Sequence, residues 1–280
     1  MVDLVATAWT SAGNTSPKLR PATSPVPIAE RIEAVAAAGY VGMGLIADDL
    51  AAVDASIGFS ALRKLVEAAG LRHLEIELLE RWWIPDGAPG HTYDVRALLF
   101  DAAAVLQPVF VKIGSENGPA CPDMSAWVTP LRELTEQAAE LGTRIALETM
   151  PFSAVPTVSA GIELVDATGH SDVGVLVDAW HVFRAGTTLD DLRSALRPGV
   201  VFGVELDDAA PEVVGSLFDD TVERRLLCGD GCFDLAGLIA VLRENGFDGP
   251  WGVEILARCF RTLPVDDALR RAADSARRVL

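Results

Sequence analysis

The sequence predicts an α/β fold, a (β/α)8 TIM barrel formed as a single domain by residues 1–280, and three observations carry that prediction. Strand-like runs alternate with longer helical stretches along the whole chain, and eight such units follow one another. No glycine-rich GxGxxG turn follows the first strand, where TAWTSAGNTSP stands instead, which disfavours an open doubly wound sheet. The length of 280 residues suits one barrel, and no linker, repeat or low-complexity tract divides it.

The first strand is read near residues 2–8 (VDLVATA), followed by an irregular stretch over 9–27. IAERIEAVAAAGY, from residue 28, carries apolar residues at three- and four-residue intervals and closes on Ala-Gly, the glycine supplying a left-handed cap. Strand two is VGMGLI (41–46), and FSALRKLVEAAG repeats the helical pattern before strand three, RHLEIELL (72–79). Strand four is VFVKIG (109–114), and MSAWVTPLRELTEQAAELG carries the next helix to Leu-Gly. Strands five to eight are RIALE (144–148), VGVLVD (173–178), VVFGVEL (200–206) and PWGVEI (250–255). The longest irregular stretches, 9–27, 79–91, 114–124 and 207–232, all follow strands, on the face where barrels carry their active sites.

Half of the residues are hydrophobic, enough for a large core, yet no apolar run reaches the length of a membrane span. The start, MVDLVATAWT, lacks the basic and long apolar segments of a secretory signal. Cys121, Cys228, Cys232 and Cys259 do not form a disulfide pattern, so a reducing, cytoplasmic setting is expected. With 23 basic against 40 acidic residues the net charge is −17, which repels nucleic acid and anionic membranes alike.

Four strand-like runs end on an acid: Glu148 in ALE, Asp178 in VLVD, Glu205 in FGVE and Glu254 in GVE. Acids converging at one mouth would repel each other unless a cation lay between them, and an all-oxygen set favours Mg²⁺ or Mn²⁺ over zinc. Helix capping or surface exposure is the alternative for each acid taken singly. His181, three residues after Asp178, reaches the same mouth as a proton donor or substrate-orienting group, or else is a satisfied rim histidine. His73, His91 and His170 read as structural or solvated. Lys112 points into the mouth or outward according to the register of strand four. Trp9, Trp82, Trp83 and Trp180 fall near strand ends, where an aromatic wall suits the carbon face of a polyol or simply packs.

These pieces, with VDAWH (177–181), VELDDA (204–209), RLLCGDGCFD (225–234) and GFDGPWGVEI (246–255), resemble the xylose-isomerase-like sugar phosphate isomerase/epimerase superfamily. The resemblance covers nearly the whole chain and is strongest from Ile145 to Leu256. It implies a divalent metal held by Glu148, Asp178, Glu205 and Glu254, no organic cofactor, and a glutamate acid/base pair, Glu148 and Glu254. It also implies substrate contacts from His181 and Arg225, the latter as a clamp unless it is a surface arginine paired with Glu223 or Asp230. Relatives usually carry His or Gln where this chain has Glu205; the extra charge should raise metal affinity and lower Lewis acidity.

The chemistry implied is isomerisation or epimerisation of a sugar, keto-sugar or inositol-type polyol through an enediolate. Trp9 and Trp180 are the aromatic substrate contacts expected. A dehydratase of a keto-inositol or of 3-dehydroshikimate is the alternative, and a non-catalytic barrel serving as a partner subunit is a third reading. Cleavage of abasic DNA, also known on this fold, lacks its histidines and basic groove here. Barrels of this kind often pair, leaving a homodimer open.

Overall fold

Eight parallel strands close into a barrel in chain order in the computed structural model, which describes residues 2–85, 88, 90 and 93–280. They are β1 (Leu4–Ala6), β2 (Gly42–Ile46), β3 (His73–Leu79), β4 (Phe110–Ile113), β5 (Ile145–Glu148), β6 (Val173–Asp178), β7 (Val201–Leu206) and β8 (Trp251–Val253). Pairing of β1 with β8, Leu4 opposite Trp251, closes the ring. Every expected strand is present, with β1 and β8 shorter than their apolar runs. His91 lies outside the described residues.

Two hydrophobic layers follow from strand alternation. One face of each strand meets the surrounding helices: Met43, Leu45, Val111, Leu147, Val175 and Val177 are all buried in the large outer core. The other face fills the barrel, where Phe110, Ala146, Leu176 and Phe202 form a small apolar plug. Side chains two apart share a face, so Lys112, Glu148 and Asp178 stand one pleat above Phe110, Ala146 and Leu176. Bare backbone makes room for that packing: a Cβ on Gly203 would lie 2.9 Å from the Phe110 ring. One on Gly252 would lie 2.4 Å from the Val204 carbonyl.

The helix Ile28–Ala37 forms where its periodicity predicts, as do Phe59–Ala68 and Val128–Glu140. The stretch 207–232 contains a helix, Leu217–Arg224, started by a capping box in which Ser216 and Asp219 satisfy each other's backbone N–H. The C-terminal helix Val265–Val279 packs beside Ile28–Ala37, and the Tyr40 hydroxyl donates to the Leu269 carbonyl at 3.1 Å. Among the described residues no helix is long and apolar enough to cross a membrane.

One buried cation organises the first third of the barrel rim. Arg31 is fully buried and donates to Ser11 Oγ, to the Ala8 and Gly44 carbonyls and, at 2.5 Å, to Asp49 Oδ2. Asp49 Oδ1 in turn accepts from the Ser24 N–H, and Asp48 from the Ala22 N–H, so the long segment 9–27 is pinned over the mouth. Removing the carboxylate would strand a buried guanidinium. Asp49→Ala should therefore cost about 3–5 kcal/mol, read as a lower urea midpoint with an unchanged slope.

Candidate functional site

At the C-terminal end of the barrel the acids converge as their strand positions require. Glu148 ends β5, Asp178 ends β6, Glu205 stands one residue before the end of β7, and Glu254 follows β8 directly. Each offers a carboxylate oxygen, and the four atoms all lie within 4.8 Å of one another. Glu148, Asp178 and His181 form a second such group. Glu77 and Asp207 join them, so six acids are buried in one place, none more than 6% exposed. Glu77, Glu148 and Glu254 floor a cavity of about 400 Å³ whose wall also includes Trp9, Phe152, Phe218 and Leu256, a size suited to a small organic molecule.

Two built-in cations share this floor. Lys112, whose direction the sequence left open, turns inward: its ammonium pairs with Glu77, lies 2.6 Å from Glu205 Oε1, and stands 3.9 Å from both Glu148 and Glu254. Arg225 is not a surface residue and does not pair with Glu223 or Asp230. It is buried, 2.6 Å from Asp178 Oδ2 and 3.1 Å from Glu254 Oε2, and it also pairs with Asp207 and with Thr221 Oγ1. Glu223 instead faces Arg261 at 2.9 Å.

Asp178 is fixed from both sides. Its Oδ1 accepts the His181 N–H at 2.9 Å, capping the helix Ala179–Arg184, while Arg225 holds Oδ2. That cap is why DAWH carries the histidine into the mouth: His181 Nε2 comes 3.3 Å from Glu148 Oε1, with the Phe152 ring 5.8 Å away. Trp9 lines the cavity. Trp180 does not; it is fully buried behind the site, its ring 5.9 Å from the Arg225 guanidinium. Trp82 and Trp83 pack with Trp127, the last two stacked at 4.2 Å. His73 pairs with Glu75 at 2.8 Å inside the barrel, and His170 is half-exposed.

The electrostatics are those of an acid cluster short of positive charge. Burial pushes Glu205 well above the usual carboxylate range, and the Glu254 charge adds to the shift. Glu254 is pushed up to about 7 by burial, against the pull of Lys112 and Arg225. Burial also raises Glu148, but Lys112 and the hydrogen bond from His181 more than offset it and hold it at about 2. Glu205 Oε2, Glu77 Oε1, Asp207 Oδ1 and His181 Nδ1 are buried without a hydrogen-bond partner. An orphaned oxygen on Glu205, one of four acids that each bring an oxygen within 4.8 Å of the others, is what a hard divalent cation satisfies, so the residues present fit one.

The sequence reading missed Glu77 and Asp207. Glu77 escaped because its strand runs on through Leu78 and Leu79 instead of stopping on the acid; the two-residue spacing of Glu75 and Glu77 was the available signal. Asp207 stands two residues after Glu205 on the same inward face. The neighbouring Asp208 explains VELDDA and GDG together. Its carboxylate accepts the N–H groups of Ala209, Gly229, Gly231 and Phe233, and a Cβ on Gly231 would lie 2.3 Å from it. That loop follows Arg225 directly.

A family model described as xylose isomerase-like TIM barrel matches residues 32–279. Inosose isomerase of Halalkalibacterium halodurans is 31% identical over 150 residues, 53% of this chain and 52% of that protein. The 3-dehydroshikimate dehydratase of Pseudomonas aeruginosa is 28% identical over 242 residues, 84% of this chain but 37% of the dehydratase. The matched regions thus span about half of the isomerase and less of the dehydratase. A solved structure of IOLI protein with a bound zinc atom superposes with a TM-score of 0.81 at 20% identity, covering 99% of this chain and 98% of its own, a likeness of fold.

Asp208 offers a clean structural test. Asp208→Ala removes one acceptor from four backbone donors and should cost about 1–3 kcal/mol. Amide exchange measured by mass spectrometry should speed up over residues 229–233 and stay unchanged in the helix Phe59–Ala68, which follows β2 on another part of the ring.

Proposed function

We propose, from the premise that the chain belongs to the xylose isomerase-like TIM barrel family, that the acidic mouth is the active centre of a divalent-metal-dependent isomerase or epimerase of a sugar, keto-sugar or inositol-type polyol. The observation that carries this reading is the convergence of Glu148, Asp178, Glu205 and Glu254, one oxygen each within 4.8 Å of the others, with Glu148 and Glu254 opening onto a small cavity. Those four residues would hold the ion. Oxygen donors alone favour Mn²⁺ or Mg²⁺ over softer ions. The inosose isomerase likeness supports the substrate class.

When bound, the ion supplies Lewis acidity, which stabilises negative charge on a carbonyl oxygen and acidifies the C–H beside it. The protein's own groups move the protons. Glu148 and Glu254 reach the centre from β5 and from the end of β8, three strands apart around the ring, so they address a bound polyol from different sides. One removes the carbon-bound proton and the other returns one, at the same carbon for epimerisation or at the next for isomerisation. His181, against Glu148, orients a substrate hydroxyl or passes it a proton. Arg225 acts through Asp178 and Glu254, fixing both carboxylates. Trp9, Phe152 and Phe218 cover the carbon face of the ring and exclude water.

A second reading rests on the dehydratase likeness, which extends over 84% of the chain. The same proton abstraction followed by loss of a β-hydroxyl, with His181 as the acid, gives dehydration instead.

Incubating the Mn²⁺-loaded protein in D₂O with inososes, ketohexoses and 3-dehydroshikimate, and following deuterium by NMR, tests and separates the two readings. Solvent deuterium at a carbon of recovered or rearranged substrate is expected, and its appearance only with water loss would favour the dehydratase. Glu148→Gln and Glu254→Gln should each slow exchange by about 10²–10⁴-fold while the fold survives. Exchange retained in both variants would remove the acid/base pair.

Metal binding should itself depend on pH. Burial lifts Glu254 to about 7, so below that pH the ion must displace its proton. Mn²⁺ affinity should fall about tenfold per pH unit below 7 for each proton displaced, with proton release measured by calorimetry in two buffers.

A further inference from the structure

The proposed chemistry leaves Lys112 without a task. This side chain is almost fully buried, and its ammonium is surrounded by Glu77, Glu205, Glu148 and Glu254, so a monovalent cation already stands among the carboxylates that would hold the metal. Burial opposes its charge, but Glu148, Glu205, Glu77 and Glu254 together outweigh that and keep it protonated.

The contacts are unevenly shared. Lys112 bonds directly to Glu77 and Glu205, whereas Glu148 and Glu254 stay at 3.9 Å. Each directly bonded acid keeps its other oxygen, Glu77 Oε1 and Glu205 Oε2, buried and without a partner. Glu77 lies outside the four-carboxylate group, with the ammonium between it and Glu205. Two buried acids facing each other beside a metal centre are the donor set from which two-metal sites are built.

We propose that Lys112 is a positioning residue standing in for a second divalent ion: it engages Glu77 and Glu205 through one oxygen each, leaves Glu205 Oε2 for the metal, and limits the centre to one divalent cation. The inference rests on the metal-centre reading given above. Its positive charge near Glu148 and Glu254 also weakens binding of the first ion, since like charges a few ångströms apart in a buried site repel strongly.

Mn²⁺ titration by calorimetry, with electron paramagnetic resonance of the loaded protein, tests this. The wild type should bind one ion and give the six-line spectrum of an isolated Mn²⁺. Lys112→Met should bind two and give a spin-coupled spectrum. Because that change bares two buried acids and can cost the fold, Glu77→Gln/Lys112→Met is made alongside, removing one charge of each sign. This double variant should bind one ion, about tenfold or more tightly than the wild type. One ion in folded Lys112→Met overturns the proposal. If that variant does not fold, unchanged affinity in the double variant does so. Two ions in the wild type overturn it as well. No Mn²⁺ bound by any of the three proteins defeats the metal reading itself, and this inference with it.

Discussion

Six acids share the end of one barrel with two cations, and that imbalance is the constraint on which the rest of the mouth depends. Burying an unpaired charge costs several kcal/mol, so each carboxylate must find a partner, a proton or an added ion. Lys112 and Arg225 divide the work. Arg225 serves the Asp178, Asp207 and Glu254 side, and Lys112 serves Glu77 and Glu205. Charge remains after both are counted, which is why burial lifts Glu205, Asp207 and Glu77 above the ordinary carboxylate range. An acid cluster left so negative has the donor set that fits an added divalent cation.

Structure below the mouth makes that arrangement affordable. The plug of Phe110, Ala146, Leu176 and Phe202 closes the barrel from beneath, so the acids sit on an apolar floor. On β4, β5 and β6 strand pleating then fixes Lys112, Glu148 and Asp178 two residues above Phe110, Ala146 and Leu176, without a loop to position them. A rigid floor matters chemically, because a carboxylate displaced by an ångström no longer reaches the same ion or proton. The connections after the strands build the wall, and the one after β7 also brings in Arg225: Arg31 and Asp49 tether the segment over one side, and Asp208 gathers the CGDGCF turn on the other.

The comparisons with known proteins and the geometry address different questions. Identity of 31% with an inosose isomerase and 28% with a 3-dehydroshikimate dehydratase places two different activities among the chain's relatives. Under the function proposed above, the two readings differ in the fate of a neighbouring hydroxyl and so in how a substrate would lie against His181 and the aromatic wall. One barrel scaffold with variable loops at its mouth is expected to serve different reactions in this way.

By itself the sequence determined the fold and most of the centre. Alternating strand and helix patterns on 280 residues admit little besides a closed barrel, and an acid ending an apolar run is visible as text in ALE, VLVD, FGVE and GVE. Local rules also carried His181, because a capping aspartate fixes the direction of the helix that follows it. Only the tertiary structure decided which charges meet. Glu77, hidden within RHLEIELL, and Lys112, in FVKIG, belong to the site because the closed ring sets β3 and β4 across from β7. Trp180 leaves the cavity wall for the same kind of reason, its ring buried behind Asp178 and Arg225. Pattern along a chain reports which face a residue shares with its neighbours two or four positions away. Coulomb energy depends on distance through space, and residues 93 positions apart in sequence lie 2.6 Å apart at Lys112 and Glu205.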